Sequence, residues 1–251
     1  MRRPPIPPDL APVLEYLDGI GYGDLYLQGR PGAMNAAAGE EPALFPAATP
    51  APAPTVPVAP AAALDLDARA ARLAELSAQV AACRLCRLCE GRNRTVFGSG
   101  HPSADLMFIG EGPGAEEDRQ GLPFVGRAGE LLTKIVQAIG MTRDEVYIAN
   151  MVKCRPPGNR DPQPDEAAAC RPYLEEQIAL VQPRVIVALG RIAAQTLLGT
   201  DMPIGRMRGR WFTVQGVPTM VTYHPAALLR NPSWKRPTWE DMQQVRDRLK
   251  G

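Results

Sequence analysis

An α/β fold built on a mainly parallel four-stranded sheet is the expectation for this chain, and three observations carry it. Four short apolar runs, 105–109, 146–150, 184–189 and 219–223, have the length and side chains of buried strands. Helical spacings at 127–139 and 165–181 separate the first three runs, and another at 191–198 follows the third. Strand–helix alternation of this kind implies parallel strands with helices on both faces of the sheet.

The elements follow in order. Residues 10–28 form a weak amphipathic patch broken by Gly19, Gly21 and Gly23, enough for one short helix at most. Residues 30–63 are dominated by Ala and Pro, a composition that builds no core and reads as an extended linker. Residues 1–64 are therefore expected to be a largely disordered N-terminal extension, and 65–251 the folded domain. That domain starts with a helix capped by Asp65, with Leu66, Ala70, Leu73, Leu76 and Val80 at spacings of three and four. Phe212–Pro218 suggests a hairpin leading into the last strand, and a final helix runs from about Thr238 to Lys250. The four strands then deliver Glu111, Asn150, Gly190 and His224 to one edge of the sheet, where ligands bind in open α/β folds.

Composition narrows the function little. The 251 residues carry 28 Lys and Arg against 27 Asp and Glu, so net charge neither announces nor excludes a nucleic-acid partner. No run of eighteen apolar residues exists, and the N-terminus lacks the apolar core of a signal peptide, so a cytoplasmic location is the default. Five cysteines in such a chain point to metal ligation or plain burial rather than disulfides.

The segment Gly110–Gly129 is poor core material: glycines, the acids Glu116, Glu117 and Asp118, and a lone Phe124 between strand and helix. It fails as a dinucleotide fingerprint, because the third glycine is misplaced and the acids would face a pyrophosphate. Its glycines instead let a flat ligand approach the backbone. Phe124 either stacks on that ligand or packs into the core. Asn150, ending its strand, has an amide that donates and accepts at once and so suits the edge of a nucleobase; its plain alternative is a turn residue. His224 can stabilise developing negative charge, whereas His101, in a Gly-Ser-Gly-His-Pro turn, is assigned no role. Arg230 and Asn231, beside prolines, can grip phosphates or enter a duplex, or form an ordinary solvated loop. Cys83 and Cys86 have ligand spacing and pair naturally with Cys154 and Cys170, although Cys86 and Cys89 have the same spacing. Four thiolates suit zinc or an iron–sulfur cluster, and spacing does not separate these.

Taken together, six ordered motifs resemble the family 4 uracil-DNA glycosylases, the iron–sulfur type. They are Cys83-x-x-Cys86-x-Leu88-x-x-x-Arg92, Gly110-Glu-Gly-Pro-Gly114 with Glu117-Asp118, Gly121-x-Pro123-Phe-Val-Gly-Arg-Ala-Gly129, Asn150-x-x-Lys153-Cys154-Arg-Pro-Pro157, Cys170, and His224-Pro-x-x-Leu-Leu-Arg-Asn-Pro232. The resemblance runs from about residue 73 to the C-terminus. It implies a three-layer α/β/α sandwich and a [4Fe–4S] cluster held by Cys83, Cys86, Cys154 and Cys170, with Cys89 at a position that is not a ligand. It implies a monofunctional enzyme, without lyase activity, that flips uracil out of DNA, releases it and so starts base-excision repair. Phe124 would stack on the base, Asn150 would read its O4/N3 edge, and Glu117 would crowd C5 and reject thymine. His224 would stabilise the leaving anion at O2. Gly112 stands where first-family enzymes carry a water-activating Asp, which leaves Glu111 as the candidate for positioning water. A non-turnover protein that traps uracil sites is the alternative; the inserted Arg-rich loop of a related trapping branch is missing between Asp118 and Gly129. A nucleotide-dependent α/β enzyme is disfavoured by the fingerprint mismatch. The expected partner is uracil-containing DNA, met by a monomer; the N-terminal arm is either an idle flexible tail or a tether for a repair or replication partner.

Overall fold

The computed structural model describes residues 64–251. The expected extension at 1–64, with the patch at 10–28 and the Ala/Pro linker, lies outside the described residues apart from Leu64.

Helix α1 (Leu66–Ala82) starts where Asp65 accepts a hydrogen bond from the Ala68 N–H at 2.8 Å, the expected cap. It ends at Cys83. After a short turn of helix, α2 (Leu88–Gly91), the chain enters the sheet through the two-residue edge strand β1 (Ser99–Gly100). The core strands are β2 (Leu106–Gly110), β3 (Tyr147–Asn150), β4 (Val185–Leu189) and β6 (Val217–Thr222), with β5 (Trp211–Val214) as the first arm of the expected hairpin. The order is β1-β3-β2-β4-β6-β5; the middle four strands are parallel, and both edges are antiparallel. The sheet thus has six strands around the expected parallel four. Two residues of β1 are too few to leave a pattern in sequence.

Period-two alternation splits β2 between two cores. Leu106 and Phe108 face α4 (Arg127–Ala138) through Leu132 and Val136, and the C-terminal helix α9 (Lys235–Lys250) through Met242 and Val245. Met107 and Ile109 face α1 through Leu73, Leu76 and Val80, and α5 (Pro164–Val181) through Leu174 and Ile178. Both faces of the sheet are therefore covered, which is the three-layer arrangement. A third patch joins Ala188 and Val221 to α6 (Arg191–Leu198) and α7 (Ile204–Met207). α9 begins three residues before the expected Thr238.

Two further short helices punctuate the connections that follow strands. α3 (Ala115–Gln120) lies inside the segment read as a loop, and its acids have separate jobs. They sit in its first turn, where the helix dipole favours negative charge. Buried Asp118 ties α3 to the segment after the cysteines, accepting from the Asn93 N–H at 2.9 Å and from the Asn93 amide. α8 (Pro225–Arg230) follows β6, with Pro225 in the first-turn position that proline suits. Among the described residues no helix is long and apolar enough to cross a membrane.

Candidate active site

Parallel strands aim their carboxyl ends the same way, and here the ends of β2, β3, β4 and β6 open into one cavity of about 550 Å³. Glu111, Gly112, Glu117, Phe124, Asn150, His224 and Arg230 all line it. Asn231 does not: it is exposed at the end of α8, with its amide 3.4 Å from the Ala227 carbonyl. Leu229, also on α8, is one of the few large apolar side chains exposed among the described residues.

Phe124 forms one wall. Its backbone is left-handed, with φ 52°, an unusual state for a bulky residue that the surroundings must enforce. One Glu117 oxygen accepts from the Val125 and Gly126 N–H groups at 3.0 and 3.1 Å. Arg143 donates to the Pro123 carbonyl. Gly129 lets the Phe124 carbonyl sit so close that a Cβ there would fall 1.8 Å from the oxygen. The ring is buried and stands 5.5 Å from the His224 ring, centroid to centroid, so Phe124 packs into the core, the plain alternative, and its ring also lines the cavity.

Asn150 closes the end of β3. It is 2% exposed, and its carbonyl oxygen Oδ1 is buried without a hydrogen-bond partner. A buried amide oxygen left so costs free energy.

His224 caps α8: its Nδ1 accepts the Ala226 N–H at 3.1 Å. The ring proton therefore sits on Nε2, which is free to donate. Burial first, and then the Arg230 charge, push the imidazole down to about 4, with Glu117 pulling weakly the other way. Gly190 makes room for it, since a Cβ there would lie 2.8 Å from the His224 Cβ. Glu111 moves the opposite way. Burial and then the Asp161 carboxylate push it up to about 7, against Arg191. Asp161 and Arg191 are themselves paired at 2.8 Å on the cavity rim.

The remaining wall is the loop after β3, with Pro156, Asn159, Arg160 and Asp161. Arg160 and the buried Glu166 carboxylate form a two-pronged contact at 2.7 and 2.8 Å that pins this loop to the first turn of α5. Sequence reading missed these residues, and also Tyr223 and Trp234, which line the cavity and stack on each other at 4.5 Å. Tyr223 and Trp234 lie eleven positions apart, and Asp161 and Arg191 thirty, so no local pattern links them.

A second pocket, beside the end of α1, is lined by Cys83, Cys86, Cys89, Cys154 and Cys170, all free thiols. Arg92 binds across it, donating to the Ala81 and Cys83 carbonyls at 2.8 and 2.9 Å and reaching the Cys154 sulfur at 3.2 Å. The Lys153 N–H points at the Cys170 sulfur, 3.3 Å away. Burial pushes the Cys170 thiol up to about 11.

Known proteins resemble this chain over most of the described domain. Residues 97–243 match the model of the uracil DNA glycosylase superfamily. The type-4 uracil-DNA glycosylase of Sulfurisphaera tokodaii is 42% identical over 184 residues, covering 70% of this chain and 84% of the relative. That of Saccharolobus solfataricus is 44% identical over 180 residues, covering 68% and 83%. That of Thermotoga maritima is 43% identical over 181 residues, covering 70% and 93%. The chain belongs to the uracil DNA glycosylase superfamily, in its type-4 family.

The ring state of His224 is directly testable. Nitrogen-15 NMR of the imidazole is expected to show an Nε2-protonated neutral ring down to about pH 4. Because the folded state resists a proton that the unfolded chain takes up near 6.5, stability should fall as pH drops from 6.5 toward about 4. An imidazolium signal at pH 6 would contradict this.

Proposed function

We propose that the cavity is where this uracil-DNA glycosylase cleaves the N-glycosidic bond of a uracil turned out of the DNA stack. The observation that carries the reading is the unpartnered Asn150 Oδ1. Uracil presents an N3–H that this oxygen can accept and an O4 that the amide NH₂ can donate to. Cytosine reverses both groups, so it would leave the buried amide unpaired. Loss of such pairing discriminates far more strongly than a missing methyl group. Extrusion of the base is what places its edge within reach. Phe124 supplies the stacking face. Glu117, held by two backbone donors, forms an unyielding wall toward C5; a wall that cannot retreat rejects a methyl by more than the ~1–3 kcal/mol of a soft pocket.

Cleavage breaks the bond between N1 of the base and C1′ of the sugar, leaving an oxocarbenium-like sugar and a uracil anion. The neutral His224 donates its Nε2–H to O2 and stabilises the anion where charge develops. Water then bonds to C1′. Glu111, poised near neutrality, takes the proton that this water loses. Arg230, on α8 at the cavity mouth, contacts the DNA backbone, with Asn231 beyond it. Residues 65–251 make up the catalytic unit, and 1–64 an extension to it. The enzyme acts as a monomer in the cytoplasm.

The cysteine pocket suits a sulfur-bound cluster. Among the described residues no three His, Cys, Asp or Glu side chains already converge on one point. The thiols instead ring a pocket, with a cation and an N–H already aimed at two of the sulfurs. Cys83, Cys86, Cys154 and Cys170 would hold a [4Fe–4S] cluster as thiolates, and Cys89 is the fifth, extra thiol. Bound there, the cluster supplies a cross-link between the end of α1 and the Cys154–Cys170 segment. That segment carries the cavity wall from Pro156 to Asp161.

A uracil-containing oligonucleotide treated with the protein and then with alkali should break at the uracil, with free uracil released beforehand. His224→Ala should slow release by about 10²–10³-fold; strand scission without alkali, a covalent adduct, or an unchanged rate in the variant would each count against the scheme. Because Glu111 accepts a proton only when ionised, formation of the abasic site should rise with pH through about 7. Glu111→Gln should remove that limb, and a profile identical to the parent's would clear Glu111 of the role. Protein purified without oxygen should contain iron and acid-labile sulfide in equal amounts and absorb in the visible. Cys170→Ser should lose both, and an iron-free parent would refute the cluster.

A further inference from the structure

Lys153 is 1% exposed, among the largest fully buried side chains of the domain. A lysine is almost never buried that far unless its charge is matched by acceptors. Its Nζ donates to the Asn150 backbone carbonyl at 2.8 Å and to the Gln177 side-chain carbonyl at 2.5 Å. Gln177 is not free to turn away: its NH₂ donates to the Phe97 carbonyl at 2.9 Å and to the Tyr147 hydroxyl at 3.1 Å. The Lys153 backbone is held as well, by the Val96 N–H on its carbonyl at 2.8 Å and by its own N–H on the Cys170 sulfur. On the other side of the turn, the Met151 N–H binds the Gly110 carbonyl at 2.9 Å. Residues 150–153 therefore form a turn closed from within by the lysine amine. Lys153 lines the cysteine pocket and not the cavity, so any effect on the cavity is indirect, and Asn150 is the cavity residue its amine touches.

We propose that Lys153 is a positioning residue for base selection: its amine fixes the carbonyl of Asn150, and with it the place of the amide that reads uracil, while its backbone anchors that turn to the cysteine pocket. The inference rests on the uracil reading of the cavity. It explains why a cation is buried at a strand end where an apolar residue would fill the same space.

Lys153→Met keeps the length and removes the donor. Measured well below the melting temperatures of both proteins, the single-turnover rate of uracil release should fall by about tenfold to a hundredfold. KM for DNA should stay within about twofold of the parent's, and free uracil should inhibit the variant correspondingly more weakly. Iron and sulfide content should match the parent's. A purely structural lysine predicts a lower melting temperature with unchanged rate and uracil inhibition, and that result overturns the proposal. So does a rate that falls only in proportion to lost iron, which would confine Lys153 to the cysteine pocket. If Lys153→Met does not fold, Gln177→Met removes the amine's second acceptor, and the same weakened uracil inhibition at unchanged KM is expected; parent values there also overturn the proposal. The parent is run alongside. A parent that releases no uracil counts against the glycosylase reading, whereas an active parent with an indifferent variant counts against Lys153 alone.

Discussion

The absence of a side chain at Gly110 is the constraint on which the cavity depends. A Cβ at that position would lie 2.5 Å from the Asn150 Oδ1 and 2.6 Å from the Phe124 ring. Two side chains from different parts of the chain therefore meet over the last residue of β2 only because it is glycine. The register of the sheet makes this meeting possible: Gly110 stands opposite Asn150 in the parallel pair of β2 and β3. A shift of one residue would send Asn150 to the other face of the sheet. Register sets the amide beside Gly110, and the tied segment around Phe124 sets the ring there.

Phe124 shows how the surroundings sustain an unfavourable backbone. Its left-handed φ is compensated by ties on either side, from Arg143 to Pro123 and from Glu117 to Val125 and Gly126. Glu117 thus serves the cavity twice, as part of the wall and as the clamp that fixes the stacking ring. The other two acids of the run diverge, with Asp118 turned inward to Asn93 and Glu116 outward to Arg119. Three consecutive acids look alike in sequence, and only the 3.6-residue turn of α3 sorts them.

The parallel core was legible because strands buried on both faces leave unbroken apolar runs; each of the four lies within two residues of its expected start and end. The motif residues were legible because strand–helix alternation fixes which ends of the strands share an edge. What escaped was whatever depends on side chains meeting from afar. Six residues of α3 are too short for a periodic signal. The start of α8 did leave one, a proline directly after a residue able to cap, but His224 was read for chemistry alone. Lys153 sits in a stretch of mixed polar and apolar residues, Asn150 to Asn159, whose sequence gives no hint that the lysine is completely buried. Its acceptors come from β3 and from α5, and only the packing of those elements shows that a cation belongs there.

Burial disfavours charge of either sign, and that single effect divides the labour of the site. It raises the carboxyl of Glu111 toward neutrality and lowers the imidazole of His224 far below it. Titratable groups pushed apart in this way are the signature of assigned acid–base roles. A histidine that is neutral when the base binds has no spare proton to hand over; it can only share its Nε2–H. In the proposed scheme the leaving uracil is stabilised by that hydrogen bond and departs as an anion, so the base need not be protonated before the bond breaks. Glu111, by contrast, keeps a usable proton affinity near neutral pH, which is what the proposed scheme asks of it when water adds to the sugar and must lose a proton. The same desolvated cavity that makes an unpaired Asn150 oxygen costly makes both of these hydrogen-bonding roles stronger, so recognition and catalysis draw on one physical cause.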